Sequence, residues 1–312
     1  MNQTEQLTFP SSDGVHTIWG TLWLPDSQPP RAVVQIVHGV AEYVERYEAF
    51  ARYLTRQGYA VCGEDHLGHG RTGQQGERMG YFGTEHGWDT VVADVRQLRV
   101  QMGERFPGLP YFLLGHSMGS FLARTYLCRY PGTVDGCILS GTGQEPRAVV
   151  RSGWLVASLL CKMKGPQWVS GLVYNLSLGR YNRKFRPNRT PADWICRDEE
   201  VVDCYLRDPL CTFRPTVGMF RDMLGGLLEI SRPDSLEKMD RATPIYLFSG
   251  TQDPVGGDGL SGVHWVYQHF RRCGVEDVRL KEYPGGRHEM LNECNRDEVY
   301  RDVLDWLEEH LA

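Results

Sequence analysis

The chain has 312 residues, of which 41% are hydrophobic and 23% are charged, and its formal net charge is −5. These proportions are ordinary for a globular protein and exclude a disordered or collagen-like chain. The acidic balance argues against nucleic-acid binding, because contacts to phosphates need clustered Lys and Arg side chains. At this length we expect one α/β domain that carries an insertion.

The sequence has no recognisable targeting or membrane-spanning segment. The N-terminal stretch MNQTEQLTFPSSDG lacks the basic and apolar regions of a signal peptide. The apolar stretches 154–161 and 172–178 are shorter than the roughly 20 residues that a spanning helix needs. Nine cysteines without a C-x-x-C pair favour reduced thiols. We therefore expect a cytoplasmic protein.

Short apolar runs recur along the chain, and helical patterns such as 46–58 and 120–130 lie between them. Continuous apolar runs are typical of strands that are buried on both faces of a parallel sheet. The alternation predicts a doubly wound, mostly parallel sheet in an α/β fold. The predicted strands are 32–37, 59–62, 111–114, 136–139, 244–248 and the weaker, alternating run 278–283.

The alternation stops between the fourth and fifth predicted strands. Residues 145–235 hold Trp, Leu, Met and Tyr in helical groupings and contain no comparable strand run. We expect them to form a helical cap over the carboxyl edge of the sheet, where ligands bind in open α/β sheets. Residues 1–144 and 236–312 would then form the core domain.

The motif Gly115-His116-Ser117-Met118-Gly119 fits the pattern G-x-S-x-G and lies between a predicted strand and a predicted helix. Its glycines permit a sharp turn from which the Ser117 hydroxyl projects. The alternative is a serine that only occupies a tight bend. Because the strand-turn-helix context is present, we predict that Ser117 is a nucleophile.

A serine nucleophile needs a histidine that takes its proton and a carboxylate that orients the histidine. Asp253 follows one predicted strand and His288 follows the last one, in the chain order Ser, Asp, His expected of this arrangement. Asp258 competes for the role of the acid. The remaining histidines near the C-terminus lie in helical patterns, which suit catalysis less well: His264, His269 and His310.

Acyl transfer also requires two backbone N–H donors for the developing oxyanion. Met118 follows the nucleophile and is expected to supply one of them. The other is expected from the loop after an early strand, where His38 and Gly39 end the strand and Val40 begins the loop. We therefore predict an oxyanion hole formed by the amides of Val40 and Met118.

The segment Asp65-His66-Leu67-Gly68-His69-Gly70 groups two histidines with a carboxylate, as metal sites do. It follows a predicted strand, contains two glycines and has no second ligand cluster beside it. We therefore interpret it as a structural turn and expect no metal. Neither G-x-G-x-x-G nor a P-loop occurs in the chain, so we expect no nucleotide cofactor.

The stretches HGVAEYVERY, DHLGHGRT, GHSMGS, SGTQDP and GGRHE together resemble the α/β-hydrolase superfamily. Within it the chain is similar to the monoacylglycerol lipase and lysophospholipase group of serine aminopeptidase-like (S33) hydrolases. The resemblance implies the α/β-hydrolase fold with a helical cap. It also implies a Ser117, Asp253 and His288 triad with Val40 and Met118 as oxyanion donors.

The family pattern H-G-x-G-E-H is followed by an R-Y pair, and in lipases of this group the matching Glu and Arg help to bind the glycerol end of the substrate. The resemblance thus implies that Glu42 and Arg46 bind substrate. In this sequence Ala41 replaces a glycine of the pattern and Tyr43 replaces a histidine. The alternative is a simple i, i+4 ion pair on a helix, worth a few tenths of a kcal/mol.

The first helix of the predicted cap is apolar nearly all round, from Trp154 to Met163. Such a helix is either packed inside the cap or faces a lipid ligand or a membrane surface. We expect a cofactor-free serine hydrolase that cleaves esters of lipid-like acyl chains, with the oligomeric state left open. A peptidase of the same fold would need cap acids that receive a free amino terminus, and a non-catalytic ligand receptor is the alternative outside enzymes. The candidate cap acids are Asp193, Asp198, Glu199, Glu200 and Asp203.

Overall fold

The computed structural model describes residues 3–26, 28–76, 78–83 and 86–311. Its strands are β1 (Gln3–Pro10), β2 (Thr17–Leu24), β3 (Ala32–Val37), β4 (Tyr59–Glu64), β5 (Tyr111–His116), β6 (Gly136–Ser140), β7 (Ile245–Gly250) and β8 (Val278–Tyr283). They form one sheet in the order β1-β2-β4-β3-β5-β6-β7-β8. The pairs β1/β2 and β2/β4 are antiparallel, and the remaining pairs are parallel.

Helices cover both faces of this sheet. The helices of the described residues, including those between β6 and β7, are α1 (Glu48–Arg56), α2 (Gly70–Gln75), α3 (Gly87–Arg105), α4 (Met118–Arg129), α5 (Arg147–Lys164), α6 (Gly171–Leu176), α7 (Leu178–Tyr181), α8 (Glu199–Arg207), α9 (Val217–Ile230), α10 (Pro233–Leu236), α11 (Ser261–Arg272) and α12 (Arg296–Glu309). Successive residues of β3 belong to opposite cores: Val33 packs with α3 and α4, whereas Val34 packs with α1 and α12. The predicted doubly wound, mostly parallel sheet is therefore confirmed.

The two N-terminal strands were not predicted. Most residues of β1 are exposed or half-buried, and only Phe9 is buried, so its polar sequence carries no apolar run. In β2, Gly20 interrupts the apolar pattern because β4 approaches closely: a Cβ on Gly20 would lie 2.6 Å from the carbonyl oxygen of Gly63. Antiparallel strands can leave one face in water, which removes the continuous apolar pattern of the central strands.

Between β6 and β7 the chain is helical. Residues 141–244, all described, form α5 to α10, one short 3-10 turn and loops. Helix α9 packs directly onto α3 and α4 through Met219, Phe220 and Met223, and α5 in turn packs on α9. The segment thus sits on the same core cluster as the sheet. Among the described residues, no helix is long and apolar enough to cross a membrane.

Candidate active site

Ser117 forms the sharp turn between β5 and α4. Its backbone has φ 53° and ψ −120°, a strained conformation that persists only where the surroundings enforce it. The flanking glycines are needed because the backbone is crowded. A Cβ on Gly119 would collide with the carbonyl oxygen of Val37, and one on Gly115 would collide with that of Gly119. The G-x-S-x-G segment is therefore the strand-turn-helix that the sequence predicted.

His288 and Asp253 are brought together from the ends of β8 and β7. The His288 Nδ1 atom lies 3.0 Å from each carboxylate oxygen of Asp253, and both side chains are buried. Asp253 also accepts a hydrogen bond of 2.9 Å from the Val255 amide. Burial lowers the pKa of His288, but the charge and hydrogen bond of Asp253 outweigh it and raise the pKa above its ordinary value. The arrangement fixes the imidazole and leaves its Nε2 atom facing away from the acid.

The competing residues have other surroundings. Asp258 is exposed in a short 3-10 turn. The ring of His264 pairs with Glu282 at 2.6 Å on the surface. In α11 the ring of His269 packs on Trp265. His310 follows α12, and its ring bonds to the Trp306 carbonyl and to Asp277.

The loop after β3 packs directly against the nucleophile turn. A Cβ on Gly39 would lie 3.0 Å from the Ser117 Cβ. Val40 follows, and Ala41 adopts the left-handed φ of 56°, which explains why the family pattern has a glycine at this position. On the other side of the turn, Met118 begins α4, so its amide has no partner within the helix. Both predicted donors therefore come from backbone next to Ser117.

The two histidines of the Asp65 segment lie behind this loop. The rings of His38 and His66 stack with centroids 4.0 Å apart, and His38 donates from Nδ1 to the Gly39 carbonyl at 2.8 Å. Burial lowers the pKa of His66 to about 3 and that of His69 to about 4, so both rings are neutral. Asp65 accepts hydrogen bonds from two backbone amides. These contacts hold the loop after β3 in place.

Glu42 and Arg46 form the expected ion pair, with 3.0 Å between Oε2 and Nη1. A third residue, Glu289, was not predicted. Its two carboxylate oxygens accept hydrogen bonds of 2.8 Å from the two Nη atoms of Arg46. Burial raises the pKa of Glu42 to about 7, although Arg46 opposes the shift. The one sequence signal for Glu289 was an acidic residue next to the predicted histidine.

Two cavities meet at Ser117. The more polar of the two, called the polar cavity below, has a volume of about 250 Å³ and a mixed lining of apolar and polar residues that includes Glu42, Ser117, Trp194, Tyr205, His288 and Glu289. An apolar cavity of about 410 Å³ is lined by Ser117, Met118, Phe121, Val150, Met223 and Leu227, among others. Val40 contributes to both cavities. Arg46 is not among the residues that line either one.

A strained serine at the turn after β5, on a sheet with this strand order, defines an α/β-hydrolase. The chain belongs to the family described as serine aminopeptidase, S33, which matches residues 28–295. It is 33% identical to the monoacylglycerol lipase of Mycolicibacterium smegmatis over 308 residues, 97% of each chain. It is 28% identical to human monoglyceride lipase over 295 residues, which cover 93% of this chain and 86% of the human one.

Solved structures agree with these relatives. The crystal structure of a highly thermostable carboxyl esterase from Bacillus coagulans in complex with glycerol superposes with a TM-score of 0.91 and 30% identity, covering 99% of each chain. The resemblance inferred from the motifs is therefore confirmed, and the chain is an enzyme of the lipase and esterase type within this family.

Proposed function

We propose that the protein hydrolyses esters that join a lipid-like acyl chain to a small polar alcohol, monoacylglycerols in particular, through an acyl-enzyme on Ser117. The observation that carries this proposal is the position of Ser117 between an apolar and a polar cavity. One cavity suits the acyl chain and the other suits the alcohol. The names of the similar lipases and esterases support the same substrate class.

In the proposed mechanism the Ser117 hydroxyl attacks the ester carbonyl while His288 Nε2 accepts its proton. Asp253 stays ionised and stabilises the imidazolium through Nδ1. The amides of Val40 and Met118 bind the oxyanion. His288 then protonates the leaving alcohol on the side of the polar cavity, which it lines. Water, deprotonated by His288, finally releases the acid and restores the serine.

The acyl chain would lie in the apolar cavity beneath the helical segment. Residues of α5, α7 and α9 line it together with Phe121 of α4. We infer that residues 145–235 act as a cap on a core domain of 1–144 and 236–312. In this arrangement the cap supplies the wall that selects the acyl chain.

The alcohol would lie in the polar cavity, where the Glu42 and Glu289 carboxylates offer acceptors for hydroxyl groups. Arg46 lies behind these acids and holds both of them. We thus propose that Glu42 contacts the alcohol directly. Arg46 affects the alcohol only through the carboxylates that it holds. Carboxylate acceptors suit a glycerol-like group better than an apolar alcohol.

We also propose that the cap touches membrane surfaces transiently. The side chains of Leu155, Leu159 and Met163 are more than half exposed and recur at helical spacing along the outer side of α5. Between residues 146 and 192 the sequence has nine Lys and Arg and no Asp or Glu, in a chain whose net charge is −5. Exposed apolar residues within a basic segment suit an anionic lipid surface.

A peptidase function has weaker support. Asp193 accepts hydrogen bonds from Thr190, Asp198 caps the start of α8, and Asp203 pairs with Arg189. The side chains of these three acids are already engaged, and that of Asp198 also pairs with Arg296 of α12 at 3.5 Å. An acid that receives a free amino terminus needs to face the active-site cavity.

The test is a substrate panel at equal enzyme concentration: monoacylglycerols of several acyl lengths, p-nitrophenyl esters of matching lengths, and proline p-nitroanilide. We expect kcat/KM to be highest for a monoacylglycerol of medium or long chain. Cleavage of the proline amide without cleavage of the esters would overturn the proposal in favour of a peptidase.

A further inference from the structure

Arg46 joins the two loops that flank the nucleophile. Its guanidinium donates a hydrogen bond of 3.0 Å to Glu42, which lies on the loop after β3. Each of its two Nη atoms also donates a hydrogen bond of 2.8 Å to Glu289, which lies on the loop after β8. The three side chains are only 5 to 11% exposed. A bidentate Arg–carboxylate pair fixes orientation as well as distance. The cluster is therefore a rigid bridge between loops that are more than 240 residues apart in sequence.

At one end, Glu42 holds the backbone that precedes Val40. Its Oε1 atom accepts a short hydrogen bond from the Gly39 amide and one of 2.9 Å from the Tyr47 hydroxyl. Gly39 is the residue whose Cβ would lie 3.0 Å from the Ser117 Cβ. A shift of Glu42 would thus be transmitted to the amide of Val40.

At the other end, Glu289 follows His288 directly in the chain. Its carboxylate accepts a hydrogen bond of 2.9 Å from Asn292, and its amide donates to the Ile195 carbonyl at 2.8 Å. Asp253 holds only the Nδ1 side of the imidazole. The rings of His116 and Trp194 pack against the imidazole, and Glu289 fixes the backbone that carries it. Glu289 thus contributes to the position of Nε2 relative to Ser117.

Charge also matters in this cluster. Burial raises the pKa of Glu289, but Arg46 outweighs it, so that this carboxyl group stays ionised beside a cation. Two buried carboxyl groups share one guanidinium. Removal of either Arg46 or Glu289 therefore disturbs the whole bridge, because the remaining groups lose their partner without access to water.

We propose that Glu289 and Arg46 are positioning residues that lock the oxyanion loop to the loop of His288, so that the Val40 amide and the imidazole keep one relative geometry during acyl transfer. This inference rests on the proposed function, since it assigns the bridge to that mechanism. It gives Arg46 a role other than binding the substrate. A small displacement of catalytic groups lowers the rate of the chemical step far more than it lowers binding.

The test uses Glu289→Gln, Arg46→Gln and the double variant with p-nitrophenyl butyrate, whose leaving group makes no use of a glycerol subsite. We expect each single variant to lower kcat about 10- to 100-fold and to change KM less than about twofold. The effects of substitutions within one bridge are not additive, so the kcat of the double variant should lie within about threefold of the kcat of the single variants. The double variant carries two neutral amides in place of the ion pair. If a single variant does not fold, the kcat of the double variant tests the positioning role.

The matched control is Arg197→Gln. Arg197 Nε pairs with the buried Glu293 at 2.9 Å, and Glu293 also accepts from the Arg287 amide, so this pair ties the helical segment to the same loop. Its loss should lower the melting temperature and leave kcat unchanged. An unchanged kcat in folded Glu289→Gln, additive losses in the double variant, or an equal loss of kcat in Arg197→Gln would each overturn the inference.

Ser117→Ala is measured in the same assay to separate the two proposals. If Ser117→Ala is inactive and Glu289→Gln is as active as the wild type, the inference fails and the proposed function stands. If Ser117→Ala keeps most of the activity, the proposed function itself fails.

Discussion

The Nδ1 atom of His288 lies 3.0 Å from both carboxylate oxygens of Asp253, so the acid holds the imidazole symmetrically from one side. The pair raises the pKa of His288 above its ordinary value despite burial. His288 must be neutral to accept the serine proton. We therefore expect kcat/KM to fall as the pH decreases, with a midpoint above about 6.5.

Asp253→Asn tests this relationship. The amide cannot stabilise the imidazolium, so we expect kcat to fall by about 10⁴-fold and the acidic midpoint of kcat/KM to move to lower pH. The measurement is a pH–rate profile with a p-nitrophenyl ester. Asp258→Asn, on the exposed turn, is the matched control and should behave like the wild type; an Asp258→Asn variant with the larger defect would exchange the two assignments.

Gly153→Leu tests the acyl cavity. Gly153 lines the apolar cavity from α5, and its Cβ position lies 3.3 Å from the Leu224 Cδ1, so a leucine there would narrow the space. The substitution also improves helix propensity by about 1 kcal/mol, which protects the fold. We expect roughly tenfold or greater loss of kcat/KM for long acyl esters and little change for acetyl esters.

Gly171→Leu is the control for that experiment, because its Cβ position has no neighbour within 4 Å and it does not line the apolar cavity. It should leave the acyl-length profile unchanged. An identical profile for Gly153→Leu and the wild type would show that the acyl chain lies elsewhere.

The double variant Leu159→Ser/Met163→Ser tests contact with membranes. Neither residue lines the apolar cavity, and both are exposed on α5. Because apolar burial drives insertion into the interface, we expect roughly tenfold weaker binding to vesicles that contain phosphatidylglycerol, with hydrolysis of a dissolved short ester unchanged. Binding is measured by vesicle co-sedimentation.

Val100→Ser, on the exposed side of α3, is the matched control and should bind vesicles like the wild type. If the wild type binds vesicles of pure phosphatidylcholine as strongly as vesicles that contain phosphatidylglycerol, the basic residues have no role in membrane contact. Unchanged binding of the double variant would contradict contact through α5.

Glu64→Gln tests a buried carboxyl group behind the oxyanion loop. Burial raises the pKa of Glu64 to about 8, and Gln35 Nε2 donates to it at 3.3 Å. Because the folded-state pKa lies above the unfolded one, this group contributes stability that is complete below about pH 4.5 and is lost as the pH rises through about 8. The wild type should thus lose about 1 kcal/mol per pH unit in this window through Glu64.

Glutamine cannot ionise, so the free energy of unfolding of Glu64→Gln should exceed that of the wild type increasingly between pH 5 and pH 8. Urea unfolding at several pH values measures the difference. Parallel curves for the two proteins would mean that Glu64 is ionised in the folded protein at neutral pH.

The central part of the fold was predictable from the sequence because its strands are buried on both faces. β5 and β6 contain continuous apolar runs, β3 is an apolar run interrupted only by the buried Gln35, and the predicted bounds of β3 and β8 match the structure. β1 was not predicted because it is an exposed antiparallel edge strand with polar residues, and β2 was not predicted because Gly20 and two threonines interrupt its apolar pattern. The order of the strands and the antiparallel pairing of β1 and β2 depend on contacts between distant segments, which no local pattern records.

The candidate site was likewise predictable only where a local sequence pattern points to it. Ser117, Asp253 and His288 each follow a predicted strand, and parallel strands bring their carboxyl ends to one edge, so their proximity was foreseeable. The bridge from Arg46 to Glu289 was not foreseeable, because these two residues are 243 positions apart in the sequence. Only the contact between Arg46 and Glu42 has helical spacing. Charged pairs that form between loops leave no periodic signal.

The most direct test of the central claim is covalent labelling with a fluorophosphonate, followed by peptide mass spectrometry. An activated serine with a formed oxyanion hole reacts with this probe. We predict a single adduct on Ser117, formed in parallel with loss of esterase activity, and neither labelling nor activity in Ser117→Ala. An adduct on another residue, or full esterase activity in Ser117→Ala, would contradict the assignment.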